Sequence, residues 1–225
     1  MLAEEKDRES ATPVRVADVK PLLRGIPDVL ATIASVPAVA LLIARSAPGT
    51  ARLSAAVYGA SVILLFAVSA TYHTPDWPMN IRHIWRRCDH ATIYFLIAGS
   101  YTPMCLIGME PSVGQMILGI VWGAAILGLL KSFFWPKAPR WLNAAVYIGI
   151  GWTAIFVAPS LLQSLGPIGF GLVFGGGLFY TVGAVLYVWR WPNPYPSTFG
   201  YHEIFHLFVT AAGACHYAAM WRLLT

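Results

Sequence analysis

Long apolar stretches, separated by short polar or Pro/Gly-rich breaks, make up most of the chain from residue 25 onward. A membrane-spanning helix needs about 20 mainly apolar residues, and seven stretches meet this requirement. They run from about Gly25 to Ala44, Leu53 to Thr74, His90 to Met109, Ser112 to Phe134, Leu142 to Leu165, Gly169 to Trp189 and Tyr201 to Trp221. Because the breaks are short, the pattern predicts one all-α integral membrane domain, a seven-transmembrane-helix bundle over residues 25–225.

Composition supports this prediction. Hydrophobic residues make up 57% of the 225 positions and charged residues only 11%, against roughly 45–50% and about 25% in soluble domains. These values exclude a soluble enzyme and a disordered chain. Residues 1–24 hold ten of the 25 charged residues, of both signs, and lack the pattern of a cleaved signal peptide. We expect a cytosolic N-terminal tail on a multi-pass protein of the cell membrane (plasma or bacterial inner membrane).

The distribution of Lys and Arg predicts the orientation of the bundle, because positive residues near span ends are retained in the cytosol. Twelve of the 15 lie on the side of the N-terminal tail, including Arg82, Arg86 and Arg87 in the predicted loop after the second span. The N-terminus is therefore expected in the cytosol and the C-terminus outside. This orientation also accounts for the net charge of +5 without a nucleic-acid partner.

Glycines are dense within the predicted spans, in Gly119-x3-Gly123, in Gly171-x3-Gly175 and in the run from Gly175 to Gly177. Small residues allow helix backbones to approach closely in a membrane. We interpret these glycines as contacts between helices.

A few ionisable residues lie within the spans, where their cost makes each a functional candidate. His202 and His206 are four residues apart and share one helix face, so they can bind one metal ion. In the predicted orientation His73 and Asp89 lie at the same, cytosolic end of the bundle. Three imidazoles with one position open for water form the ligand set of a catalytic zinc site. We predict Zn²⁺ held by His73, His202 and His206, with Asp89 acting on the water.

Other polar residues near this site have different predicted roles. Ser69 shares a helix face with His73, and its hydroxyl can stabilise the water, Asp89 or an oxyanion; the alternative is a bond to its own helix carbonyl. His90 points about 100° away from Asp89 and is expected beside the site or at the interface. His216 is ten residues beyond His206, about 15 Å along a helix, and cannot share its metal.

Four segments carry a family resemblance: Ser69-Ala-Thr-Tyr-His73, the run from Arg87-Cys-Asp89-His90 to Pro103, the run from Gly175 to Gly183, and Tyr201-His202-Glu-Ile-Phe-His206. Together, over roughly residues 25–221, they resemble the hemolysin III family, the bacterial branch of the progestin and adipoQ receptors. The resemblance implies a zinc ion near the inner leaflet, held by His73, His202 and His206, with Asp89 and Ser69 beside its water. Relatives that include the alkaline ceramidases suggest hydrolysis of a lipid amide such as ceramide.

Four functions follow from these observations. The leading hypothesis is a zinc-dependent hydrolase whose membrane-lipid substrate, an amide or ester, reaches the site sideways from the bilayer. The second is a receptor or sensor with structural zinc. The third is a pore-forming cytolysin, although a pore needs a polar face across the whole membrane. The fourth is a metalloprotease, because His202-Glu203-Ile-Phe-His206 matches His-Glu-x-x-His with Glu203 as general base, but it gives His73 and Asp89 no role.

Overall fold

A computed structural model describes residues 20–225, so most of the predicted tail lies outside the described residues. Within residues 20–225 the regular structure is helical, apart from one isolated bridge between Tyr195 and Phe199. The α-helices are α1 (Ile26–Arg45), α2 (Thr50–His73), α3 (Met79–Ile107), α4 (Pro111–Phe134), α5 (Arg140–Gly151), α6 (Ala158–Trp189) and α7 (Tyr201–Leu224), with a 3₁₀ segment, Trp152–Val157, between α5 and α6.

The described helices expose large apolar side chains and bury polar ones, as the helices of membrane proteins do. Six helical segments are long and apolar enough to cross a membrane. Large apolar side chains such as Leu127 and Phe156 face outward, whereas charged or polar side chains such as His73 and Glu203 are buried. The chain is therefore an integral, multi-pass helical membrane protein.

The fifth and sixth predicted spans fall in one helical segment of 50 residues, Arg140–Trp189. This segment is interrupted at Gly166, which has the non-helical angles φ 66° and ψ 174°. Gly tolerates this positive φ, and Pro167, which follows, cannot continue the hydrogen-bond ladder of the preceding turn. The interruption lies in the interval where the sequence predicts a break, between Leu165 and Gly169.

The third helix begins much earlier than predicted. Helix α3 starts at Met79 rather than near His90, so Arg82, Arg86 and Arg87 lie on a helix and not in a loop. Hydropathy detects only the apolar part of a helix, and arginine is itself a good helix former. The connection between α2 and α3 is correspondingly short, at residues 74–78.

Helix α3 is the centre of the bundle, since it contacts α2, α4, α5 and α7, while α6 packs closely against α7. Apolar side chains from most of the helices form one core. Its fully buried members include Tyr58, Tyr94, Met104, Leu161 and Met220.

The glycines that bring helices together are mostly not those of the sequence motifs. A Cβ atom on Gly119, Gly123, Gly171 or Gly175 would meet no described atom within 4 Å beyond the adjacent residues and backbone of its own helix, so the packing role predicted for these four is wrong. The prediction is confirmed for Gly176 of the run from Gly175 to Gly177, because a Cβ there would lie 2.2 Å from the His216 ring. Gly59, which belongs to none of these motifs, is also at a close contact, since its Cβ would lie 2.2 Å from the Val39 side chain. Motif spacing identifies residues on one helix face but not which face meets a neighbouring helix.

Helix α1 begins next to the end of α2. Gly25 precedes it with φ 84°, and a Cβ there would lie 2.6 Å from the Thr74 hydroxyl oxygen. The preceding segment is bonded to the loop before α7, because the amides of Leu22 and Leu23 donate to the Ser197 and Thr198 carbonyls at 3.0 and 3.1 Å. The start of α1, the end of α2 and the start of α7 therefore meet at one end of the bundle.

Candidate metal centre

Three histidines meet where these helix ends converge. His73 is the last residue of α2, and His202 and His206 lie one turn apart in the first turns of α7. One ligand nitrogen from each lies within 4.8 Å of the other two. His73 and His206 are only 7% and 5% exposed. The structure thus brings together the three residues that the sequence singles out as metal ligands.

The geometry of the cluster fits a metal ion. The Nε2 atoms of His73 and His202 are 3.3 Å apart, and a tetrahedral ion with bonds of about 2.0–2.1 Å to imidazole separates two ligand nitrogens by roughly 3.3–3.4 Å. Nε2 of His206 is buried and makes no hydrogen bond to any of residues 20–225. A buried nitrogen without a partner is costly, and a shared metal ion would remove this cost for His206. The cluster can therefore hold one metal ion.

Ser69 and Asp89 line the same cavity as the three histidines. Ser69 is 4% exposed and lies one turn before His73 on α2. Asp89 lies on α3 and makes no ion pair with a described cation. The structure thus places both residues at the cavity that the cluster borders. Asp89 is not a member of the three-histidine group.

Asp28 is a residue of the site that the sequence analysis missed. It lies in the first turn of α1, is 1% exposed, and its Oδ1 is 2.9 Å from Nδ1 of His206. A signal was available, because Asp28 is a carboxylate inside the first predicted span, and an ionisable residue within a span is a functional candidate by default. Its position near the end of the span made it resemble an ordinary residue of a helix first turn.

Glu203 does not have the position of the general base that the His-Glu-x-x-His pattern requires. One of its carboxylate oxygens contacts the Arg24 guanidinium, and the other accepts a hydrogen bond of 2.8 Å from the Gly200 amide. Glu203 is 1% exposed and, unlike His202 and His206, does not line the cavity. Both oxygens are therefore engaged in holding the start of α7, which argues against Glu203 as the general base of a metalloprotease.

A cavity of about 500 Å³ extends from the histidine cluster into the bundle. Near the cluster it is bordered by the basic residues Arg82, Arg86 and Arg140, and further in by aromatic residues such as Trp152 and Tyr180. The space suits a molecule with a polar end and an apolar chain, because apolar lining with a few placed polar groups is typical of ligand pockets.

Three further histidines, His83, His90 and His216, border the cavity but lie outside the cluster. His90 borders the cavity, and its carbonyl accepts a hydrogen bond of 3.2 Å from the Tyr147 hydroxyl. His216 also borders the cavity, with its ring centroid 5.6 Å from that of Tyr180. Neither belongs to the group of ligand atoms around His73, in agreement with the prediction that His216 cannot share that metal.

The sequence is similar to that of proteins from bacteria and animals. Hemolysin-3 of Bacillus cereus is 35% identical over 190 residues, which cover 82% of this chain and 83% of that protein. The human monocyte to macrophage differentiation factor is 29% identical over 77% of this chain and 71% of that protein. The adiponectin receptor protein of Drosophila melanogaster is 28% identical over 75% of this chain and 44% of the receptor.

The family model described as "Haemolysin-III related" matches residues 18–217, which include every helix up to most of α7 and all three histidines of the cluster. Because this model matches most of the chain, and because Hemolysin-3 of Bacillus cereus is 35% identical over 82% of it, the chain belongs to the haemolysin-III-related family.

Proposed function

We propose that this protein is a zinc-dependent membrane hydrolase that cleaves an amide in a lipid, in the manner of a ceramidase. The observation that carries the proposal is the convergence of three histidines beside a cavity that Asp89 and Ser69 also line. His73, His202 and His206 would hold Zn²⁺, since three imidazoles with an open position form the ligand set of catalytic zinc.

The chemistry follows from the residues around the cluster. Bound zinc would supply a Lewis acid that polarises the amide carbonyl. Asp89, which has no ion-pair partner among the described residues, takes a proton from the attacking water on a carboxylate oxygen. The same carboxyl then gives the proton to the departing amine nitrogen. Ser69 directs its hydroxyl toward the oxygen on which negative charge develops.

We propose that the protein has seven membrane spans and a cytosolic N-terminus. The segment Arg140–Trp189 supports the count, because 50 residues would extend about 75 Å as one helix, more than twice the roughly 30 Å of a bilayer core. Its break at Gly166 supports a division into two spans. The excess of Lys and Arg on one side supports the orientation, which puts the histidine cluster near the cytosolic leaflet of the cell membrane.

The proposed substrate is a membrane lipid that enters the cavity from the bilayer. The inner part of the cavity is lined by apolar and aromatic side chains, such as Ile97, Met104 and Phe174. These side chains would hold an acyl chain while the amide lies against the histidines.

Metal analysis of the purified protein tests the proposal. The wild-type chain is expected to contain one zinc ion, and His206→Ala is expected to lose it. His83→Ala is the matched control, because His83 is an exposed histidine on α3 that borders the cavity but does not belong to the cluster. Equal metal content in wild type and His206→Ala would refute the site. A hydrolysis screen over lipid amides then tests the activity; metal without hydrolysis of any lipid amide would refute the enzyme.

A receptor or sensor with structural zinc is a second candidate. A relative named as an adiponectin receptor protein favours it, as does the position of the cluster, which joins the end of α2 to the start of α7. His73→Ala distinguishes the two functions. A structural metal predicts a bundle that no longer folds, whereas a catalytic metal predicts lost hydrolysis in a folded bundle whose melting temperature falls only by the stabilisation that a bound ion gives.

A further inference from the structure

One of the three histidines in the cluster has a carboxylate partner. Nδ1 of His206 lies 2.9 Å from Oδ1 of Asp28, and both side chains are almost fully buried, at 6% and 1% exposure. No carboxylate lies within ion-pair distance of His73 or His202 among the described residues. Among the described residues, His206 is therefore the one member of the cluster whose ring is held by a carboxylate.

The contact with Asp28 favours one tautomer of His206. A neutral imidazole carries its proton on one of two nitrogens, and the partner of one nitrogen sets the state of the other. A carboxylate oxygen at 2.9 Å from Nδ1 favours the proton there, which leaves the lone pair on Nε2. Nε2 is buried and has no hydrogen-bond partner within residues 20–225.

The carboxylate of Asp28 has no competing partner in the described part of the chain. Its second oxygen, Oδ2, is buried and makes no hydrogen bond there. Arg24, the nearby cation of the same segment, contacts Glu203 instead. Among the described residues, His206 is therefore the one hydrogen-bond or ion-pair partner of the Asp28 side chain.

We propose that Asp28 is a positioning residue for the metal centre: it holds the Nδ1–H of His206 so that Nε2 is presented to a metal ion shared with His73 and His202. This inference rests on the proposed metal site and adds a fourth residue, from α1, on which that site depends. A hydrogen bond of this kind from a ligand histidine to a carboxylate fixes the ring and makes the ligating nitrogen more basic.

Zinc affinity of the full-length chain in detergent tests the proposal, measured by competition with a chromophoric chelator. Asp28→Ala is expected to weaken Zn²⁺ binding about 10–100-fold, as removal of such partners does elsewhere. Asp28→Asn keeps an oxygen acceptor at the same place and is expected to lose less. Ser35→Ala is the matched control, because Ser35 is a buried polar residue two turns further along α1 that does not line the cavity.

The outcomes separate this inference from the proposed function. If wild type binds no Zn²⁺, both fail. If wild type and Asp28→Ala bind Zn²⁺ equally well, only the role of Asp28 fails.

A second measurement is made on the wild-type protein, so it does not depend on whether a variant of Asp28 folds. In the metal-free wild-type protein labelled with ¹⁵N-histidine, the resonances of His206, assigned by their loss in His206→Ala, report its tautomer. We expect a proton on Nδ1 and none on Nε2. The opposite tautomer would overturn the proposal.

Discussion

The Arg24 guanidinium contacts the Glu203 carboxylate, and this ion pair joins the segment before α1 to the first turn of α7. Glu203 is 1% exposed and Arg24 only 21%, so the pair is largely removed from water. Glu203 also accepts a hydrogen bond from the Gly200 amide, which caps the start of α7. The same side chain therefore caps α7 and links it to the N-terminal segment. The ion pair therefore stabilises the end of the bundle where the histidines meet.

Glu203→Gln is expected to reduce stability without abolishing chemistry. The amide can still accept from Gly200, but Arg24 loses its charged partner, which should lower the free energy of unfolding by about 1–3 kcal/mol. Melting temperature and lipid-amide hydrolysis are the measurements. A general base would behave differently, because its removal costs about 10²–10⁴ in rate; a loss of that size with normal stability would contradict the structural role of Glu203.

Asp89→Asn is expected to retain zinc and lose turnover. The substitution preserves the size of the side chain but removes the carboxylate that accepts the proton, so hydrolysis should fall by about 10²–10⁴. Metal content and hydrolysis are measured on the same preparation. Asp76→Asn is the control, since Asp76 is a 91% exposed carboxylate that pairs with Lys20. Zinc loss in Asp89→Asn, or turnover equal to wild type, would contradict the role of Asp89.

Removal of the metal is expected to lower the melting temperature of wild type but not of His206→Ala. A ligand that binds only the folded state stabilises it by mass action, by about 2.7 kcal/mol when its free concentration is 100 times its dissociation constant. Thermal unfolding with and without a chelator gives the comparison. An equal shift in both proteins would show that the chelator acts elsewhere than at the cluster.

Gly25→Ala is expected to destabilise the start of α1. Its φ of 84° is in the left-handed region, and the new Cβ would lie 2.6 Å from the Thr74 hydroxyl. The backbone strain alone should cost about 1–2 kcal/mol. Gly119→Ala is the matched control, because no described atom lies within 4 Å of its Cβ, and Ala is the better helix former. The melting temperature should fall for the first variant only.

The three histidines were predictable because they break an otherwise apolar pattern and because the order of the spans puts His73 and the His202–His206 pair at one end of the bundle. Asp28 was not selected, since nothing in the local sequence shows that the first turn of α1 faces α7. That contact depends on how Gly25 directs α1 against the end of α2.

Helix boundaries and packing faces were less accessible to the sequence. Hydropathy put the start of the third helix near His90, whereas α3 begins at Met79, because the arginines of its first turns do not interrupt a helix that extends beyond the apolar layer. The spacing of Gly119 and Gly123 also said nothing about whether a neighbouring helix is present on their side of α4.

The order in which the cluster residues occur along the chain has a consequence for biosynthesis. Asp28 and His73 are translated early, but His202 and His206 belong to α7, the last helix. A ribosome must therefore translate the chain as far as α7 before the three imidazoles can meet. Binding of the metal by all three would follow the synthesis of α7, and a nascent chain arrested before Tyr201 would have only one of the three imidazoles.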